Sequence, residues 1–345
     1  MLQKNKKILF VSKDMGGANV SIPLIKLAQK SGYSVEIVAE GLAVSKYEES
    51  RLKPYSSEGH LNSDAKKVIE KLKPEIVITT LGVPINLEQD YGLAANDLGI
   101  PLVFLEDYWG AHVRSQAAPD LILSIDEKAA EIARSRFNSA AKVVTIGNYA
   151  VNNALSLEIP DGVRETIKGL RNRFGPVLLF TAGGVHVSGQ ILLLAECLKN
   201  TPNWVLVPRF HPKSVNLIGL SGKTFGEEWQ GLLKEFGEKV VYLQSEPIGP
   251  LVALADATLS DFSTLLTIAL ASGRSAVSIA TAGVRETMKN ETSFTSHPLV
   301  ETGLVKEITR PCDLTGYLAR PDSEAIAQYL QPYEPEKALQ AIEGL

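Results

Sequence analysis

The chain has 345 residues, 45% hydrophobic and 21% charged, with 35 basic and 39 acidic side chains and a formal net charge of −4. This balance excludes long disordered tracts, which need low hydrophobicity and high charge, and offers no global basic field for nucleic acid. The length suits about two domains, no apolar run reaches the roughly 18 residues of a membrane span, and the only cysteines, Cys197 and Cys312, form no CxxC pair, so a reducing cytoplasm is the expected setting.

The basic start LQKNKK runs straight into ILFVS, too short for a secretory apolar core, and reads as a solubilised first strand. DMGGAN then reads as a Gly-rich turn, VSIPLIKLAQKSG as a helix ending at Gly32, and YSVEIVAEG as a second strand, the start of a parallel βαβ sheet. Residues 64–73 form a charged amphipathic helix stopped by Pro74, and EIVITTLG follows as a buried strand. A short helix from Asn86 to about Leu98 leads to IPLVFLEDYWG; LILSID, a helix and AKVVTIGN complete six strand candidates before residue 150.

Between about Val151 and Pro176 the strand signal stops and Pro and Gly punctuate a polar stretch, which places the interdomain connection there. The alternation restarts with PVLLFTAGG, a helix in HVSGQILLLAECLKN, NWVLVPRFHP, VVYLQ, ADATLS and SAVSIA. Past residue 283 the pattern weakens, and SEAIAQYL and PEKALQAIEGL read as short terminal helices. The expected organisation is a Rossmann-like, acceptor-side domain over 1–160, a Rossmann-like nucleotide-donor domain over 170–330, and a terminal helix within 331–345.

In open parallel sheets ligands bind beyond the carboxyl ends of the strands, where helix N-termini offer unpaired N–H groups and a partial positive charge. Five clusters lie at such positions. Asp14, Gly16, Gly17 and Asn19 read either as a tight turn with Asn19 or Ser21 capping a helix, or as an acceptor or phosphate contact with Asp14 as base. The spacing matches neither a GxGxxG fingerprint nor a P-loop. Gly183, Gly184, His186 and Ser188 open the second half in the same way, and two adjacent glycines suit a diphosphate laid on backbone amides.

Arg209, His211 and Lys213 around Pro212 offer phosphate complements, or form a solvated basic loop. Ser260 and Asp261 end a strand, and Ser263 and Thr264 can cap the next helix and hold a phosphate together. Glu106, Asp107 and His112, beside Tyr108 and Trp109, supply what a general base and a sugar platform need, or a buried aromatic corner.

R-F-H-P followed about fifty residues later by A-D-A-x-x-S-D-F-S-T, and then Gly-Arg-x-x-V, resembles the donor half of glycosyltransferases of GT-B architecture. The CDP-glycerol glycerophosphotransferases and UDP-N-acetylglucosamine 2-epimerases are the nearest types. The glycine pairs Gly16-Gly17 and Gly183-Gly184 also look like the paired loops of lipid-intermediate N-acetylglucosaminyl transferases. Thr264 stands where the motif has a second Ser, and Thr267, Ile268 and Ala269 stand where many sugar transferases place a ribose-binding Glu.

This resemblance implies an α/β fold of two Rossmann-like domains facing across a cleft, and a role in polysaccharide biosynthesis. It implies transfer of a sugar or polyol phosphate from a nucleotide-diphosphate donor to an unknown acceptor. Gly183, Gly184, His186, Arg209, His211, Ser263 and Thr264 would bind the donor, Gly16, Gly17 and Asn19 the acceptor, and Asp14, Asp107 or His112 would act as base. No metal or cofactor is called for, because a helix dipole and Arg can stabilise the leaving diphosphate. A nucleotide-sugar 2-epimerase and a non-catalytic nucleotide-binding relative are the alternatives; neither nucleic acid nor a transmembrane segment is expected, and a homodimer stays open.

Overall fold

The computed structural model describes residues 6–56, 65–82, 85–137, 140–182, 186–219, 221–292 and 294–345. Two compact units emerge, one comprising Met1–Tyr149 with Gln331–Leu345, the other Ala150–Leu330. Each is built on one parallel sheet.

The first sheet contains β1 (Lys7–Ser12), β2 (Ser34–Ala39), β3 (Tyr55–Ser56), β4 (Ile76–Thr79), β5 (Leu102–Leu105), β6 (Leu121–Ser124) and β7 (Lys142–Thr145), in the order β3-β2-β1-β4-β5-β6-β7. The order reverses between β1 and β4, where a doubly wound sheet opens its ligand crevice. Both faces are buried: Ile8 and Phe10 enter one apolar cluster while Leu9 and Val11 enter the other. A strand covered on both sides reads as a continuous apolar run, which is how β1, β4 and β5 appear in the sequence. Seven strands are present instead of six, because β3 is only two residues long and carries no periodic signal.

The sequence reading of DMGGAN as a turn is corrected by the helix Met15–Lys30, whose N-cap is Asp14 and not Asn19 or Ser21. Two glycines are poor helix formers, and the cap compensates: Asp14 Oδ1 accepts from Gly17 N at 2.8 Å. Ser21, well inside the helix, donates back to the Gly17 carbonyl. The helix Pro335–Glu343 returns to this unit, placing Ala338, Leu339 and Ile342 in the core cluster of β1.

The second sheet contains β8 (Val177–Ala182), β9 (Val205–Phe210), β10 (Ala257–Ser260), β11 (Ser275–Ile279) and β12 (Val305–Ile308), in the order β12-β11-β10-β8-β9. Its switch point lies between β8 and β10. VVYLQ is not a sheet strand: Val240 makes one isolated bridge to Leu206, and Tyr242 is exposed. The fifth strand is β12, in the weakly patterned region. The polar stretch after residue 150 folds as two helices, Tyr149–Leu155 and Asp161–Phe174. Among the described residues no helix is long and apolar enough to cross a membrane.

Candidate functional site

At the carboxyl edge of the first sheet, side chains from the ends of β1, β4 and β5 converge because three glycines leave them room. A Cβ on Gly16 would collide with Asp107 Oδ2, and one on Gly17 with Thr80 Oγ1. A Cβ on Gly82 would lie 2.8 Å from Asp14 Oδ2 and 2.9 Å from Glu88 Oε1. The Asp107 carboxylate therefore rests over the first turn of the helix Met15–Lys30, and Asp14 and Glu88 meet above Gly82.

These carboxylates differ in access. Asp14 and Asp107 are partly exposed, whereas Glu88 is 1% exposed. Glu88, on the helix Asn86–Asp97, accepts from Lys13 N at 3.0 Å and Gly82 N at 3.2 Å through Oε1, and its Oε2 has no partner among the described residues. Burial, with the Asp14 charge adding to it, pushes Glu88 up to about 7. The same two causes, in the same order, hold Asp107 well above the usual carboxylate range. Thr80 donates to Ser12 Oγ at 3.1 Å, and Tyr47 donates to the same oxygen at 2.9 Å, all three buried.

A second, buried polar group follows β5 and β6. His112 has no exposure; its Nδ1 is 2.5 Å from Glu106 Oε1, Ser124 donates to Glu106 Oε2 at 2.9 Å, and His112 Nε2 has no partner among the described residues. A side chain so enclosed meets no acceptor directly, so the geometry suits His112 to holding the loop after β5 and not to taking a proton from a bound ligand. Asp126 accepts from Trp109 Nε1 and Ala129 N, and burial pushes it up to about 7. Asn19 lies in the second turn of its helix, partly buried.

The carboxyl edge of the second sheet carries hydroxyls and cationic groups instead. Register places Thr181 of β8 opposite Arg209 of β9, and Thr181 Oγ1 donates to Ser260 Oγ of β10 at 2.9 Å. Arg209, His211, His186, Ser263 and Thr264 thus fall on or just beyond three neighbouring strands; Gly183 and Gly184 lie outside the described residues. Arg209 donates Nη1 to the carbonyls of Leu243 and Glu246, at 2.7 and 2.5 Å, which orders that turn and leaves Nε and Nη2 without partners among the described residues. Ser263 caps the helix Thr264–Ala271, accepting from Leu265 N at 3.2 Å.

The His186 ring fits only because Gly283 lacks a side chain, and its Nε2 lies 3.1 Å from Thr287 Oγ1. His211 is exposed, with its backbone N–H donating to the Ala182 carbonyl. Glu88, Thr80, Gly82 and Asp126 are the members of these edges that sequence reasoning missed. Asp126 comes two residues after the end of β6, as Asp14 and Asp107 come two residues after β1 and β5, and that placement was the available signal; Glu88, inside the helix Asn86–Asp97, has none. Among the described residues no cluster of His, Cys, Asp and Glu has the geometry to hold a metal ion.

No protein-family model matches the chain, and no curated protein matches it in sequence. Solved structures match it in fold. S. aureus MnaA, solved with UDP, is 16% identical and aligns over 98% of this chain and 95% of its own, with a TM-score of 0.66. A Methanocaldococcus jannaschii UDP-GlcNAc 2-epimerase, in complex with UDP-GlcNAc and UDP, is 13% identical over 98% and 92% with a TM-score of 0.58. Acinetobacter baumannii MurG is 16% identical over 99% and 100% with a TM-score of 0.57. The chain has the GT-B fold, two Rossmann-like units in one polypeptide.

Proposed function

We propose that this protein is an enzyme of nucleotide-diphosphate sugars, with the second unit holding the nucleotide diphosphate and the first supplying the acid–base group. The observation that carries this reading is the Asp107 carboxyl. It lies at a strand end, partly open, seated on a helix N-terminus, with an affinity for protons well above that of an ordinary carboxylate. A general base works best when its pKa approaches the operating pH.

In the transfer reaction the acceptor hydroxyl gives its proton to Asp107 while its oxygen attacks the anomeric carbon. The bond from that carbon to the diphosphate oxygen breaks, and the nucleoside diphosphate leaves with the electron pair. Arg209 and the N-terminus of the helix Thr264–Ala271 would stabilise the charge that develops there. UDP is the first nucleotide to test, since MnaA and the M. jannaschii epimerase are described with UDP.

A second reading, 2-epimerisation, is favoured by the number of carboxyls with raised proton affinity on the first sheet edge, Glu88, Asp107 and Asp126. Abstraction and return of a proton at C2 needs more than one such group. Incubation with UDP-N-acetylglucosamine in deuterium oxide separates the readings. Acceptor-dependent release of UDP without label at C2 supports transfer, deuterium at C2 without acceptor supports epimerisation, and neither reaction on UDP-, GDP- or CDP-linked donors overturns both.

A further inference from the structure

We propose that Cys197 and Cys312 form a redox-active dithiol, a modification site at which a hydroperoxide drives closure of a disulfide that ties the helix Val187–Asn200 to the loop after β12. The inference is independent of the nucleotide-sugar reading.

The chain has only two cysteines, separated by 115 residues, and folding brings them together. Cys197 lies on the helix Val187–Asn200, fully buried in the apolar core of the second unit. Cys312 follows β12 in a stretch without regular structure and packs against the same core while keeping part of its surface open. Their sulfurs are 3.8 Å apart, and the Cys312 N–H donates to Cys197 Sγ at 3.4 Å. Both are free thiols.

The approach does not depend on the sulfurs alone. Thr201, the C-cap of the helix, donates its hydroxyl to the Cys197 carbonyl at 2.8 Å and accepts from Leu314 N at 3.0 Å. Leu314 is itself buried in that core. The loop is therefore pinned to the helix end at residues 312 and 314. Bond formation needs the sulfurs to close from 3.8 Å to about 2 Å. Pro311 and Asp313 on either side of Cys312 are exposed, so the loop, and not the packed helix, supplies that shift.

The two thiols divide the chemistry. Cys312 is the one that an oxidant in solvent reaches, whereas Cys197 is enclosed, and burial pushes its thiol up to about 11, which keeps it unreactive on its own. The Cys312 sulfur attacks an oxygen of the hydroperoxide; the O–O bond breaks, the leaving oxygen takes up the Cys312 proton, and a sulfenic acid forms. Cys197 Sγ then attacks that sulfur. The S–S bond forms, the S–O bond breaks, and the departing hydroxide takes the Cys197 proton and leaves as water. The two thiols give up two electrons and the hydroperoxide accepts them, and a dithiol reductant reverses the closure by exchange.

The test treats the reduced full chain with a small molar excess of hydrogen peroxide and follows it by intact mass and peptide mapping. The expected product is a single chain lighter by two hydrogens, with a peptide cross-linked through Cys197 and Cys312, restored to its starting mass by dithiothreitol. Cys197→Ser should stop at a sulfenic acid that dimedone traps on Cys312. Cys312→Ser, at the partly exposed position, should slow consumption of the Cys197 thiol about tenfold or more, with unchanged circular dichroism showing that it is folded. Persistence of both thiols, gain of oxygen without the loss of two hydrogens, cross-linking between chains in place of within one, or equal consumption of Cys197 in Cys312→Ser overturns the proposal.

Discussion

The two units share a parallel sheet, a switch point and helices that begin at strand ends, yet their carboxyl edges carry opposite chemistry. On the first, Asp14, Glu88 and Asp107 converge on glycines, with Glu106 and Asp126 buried behind them. On the second, Arg209, His186, Ser263 and Thr264 surround strand ends whose hydroxyls bond one another. The backbone scaffold fixes where a ligand can sit, and the side chains at the strand ends decide its charge. The first edge gathers carboxyl groups; the second gathers hydroxyls and cationic side chains.

Substituting Asp107, the proposed base, breaks the comparison most sharply. Asp107→Asn should cut turnover by roughly 10²–10⁴-fold, the usual contribution of a positioned base, while leaving UDP affinity within about twofold in calorimetry. A parallel loss of UDP affinity would mean that the edges do not divide the work in this way. Gly17→Ala and Gly16→Ala form the next test. The first forces a Cβ to within 2.6 Å of buried Thr80 Cβ and should destabilise the first unit by about 1–3 kcal/mol in denaturant unfolding. The second meets only the end of the Asp107 side chain, so stability should hold while activity falls.

Glu88 supplies a pH-dependent test. Its pKa is about 7 when folded against an ordinary 4.5, so the folded state holds the proton longer. Native stability is therefore unaffected by this group below about pH 4.5, declines as pH rises toward 7, and is level above it. Glu88→Gln removes that decline and should gain roughly 2–3 kcal/mol on the wild type between pH 5 and pH 8, measured by denaturant unfolding. A stability difference that does not change with pH would contradict the burial argument. The smallest effect belongs to the second edge: Ser263→Ala removes the cap on the helix Thr264–Ala271 and should cost about 1 kcal/mol, with a severalfold weaker UDP affinity.

The core of both sheets was legible because strands buried on two faces show as runs such as ILFV and LVFL, and RFHP and SDFST fall at the ends of β9 and β10, at the carboxyl edge of the second sheet. The first edge was harder. Gly16 and Gly17 look like a turn, since glycine disfavours helix, and only Asp14 and the steric demands of Asp107 and Thr80 explain them as a first helical turn. Glu88 carries no motif at all. Its burial depends on amides at Lys13 and Gly82, one of them 75 residues away in the chain, a coincidence that only folding creates. VVYLQ has strand-like composition but no partner strand beyond one bridge, so propensity alone misplaced it.

Hydrogen exchange on the full chain with and without saturating UDP tests the division of labour most directly. The account expects new protection in 181–182, 186–190, 209–211 and 260–266 on the second edge, with 13–17, 82–88 and 106–112 unchanged. Protection confined to the first edge, or none in either, would contradict it.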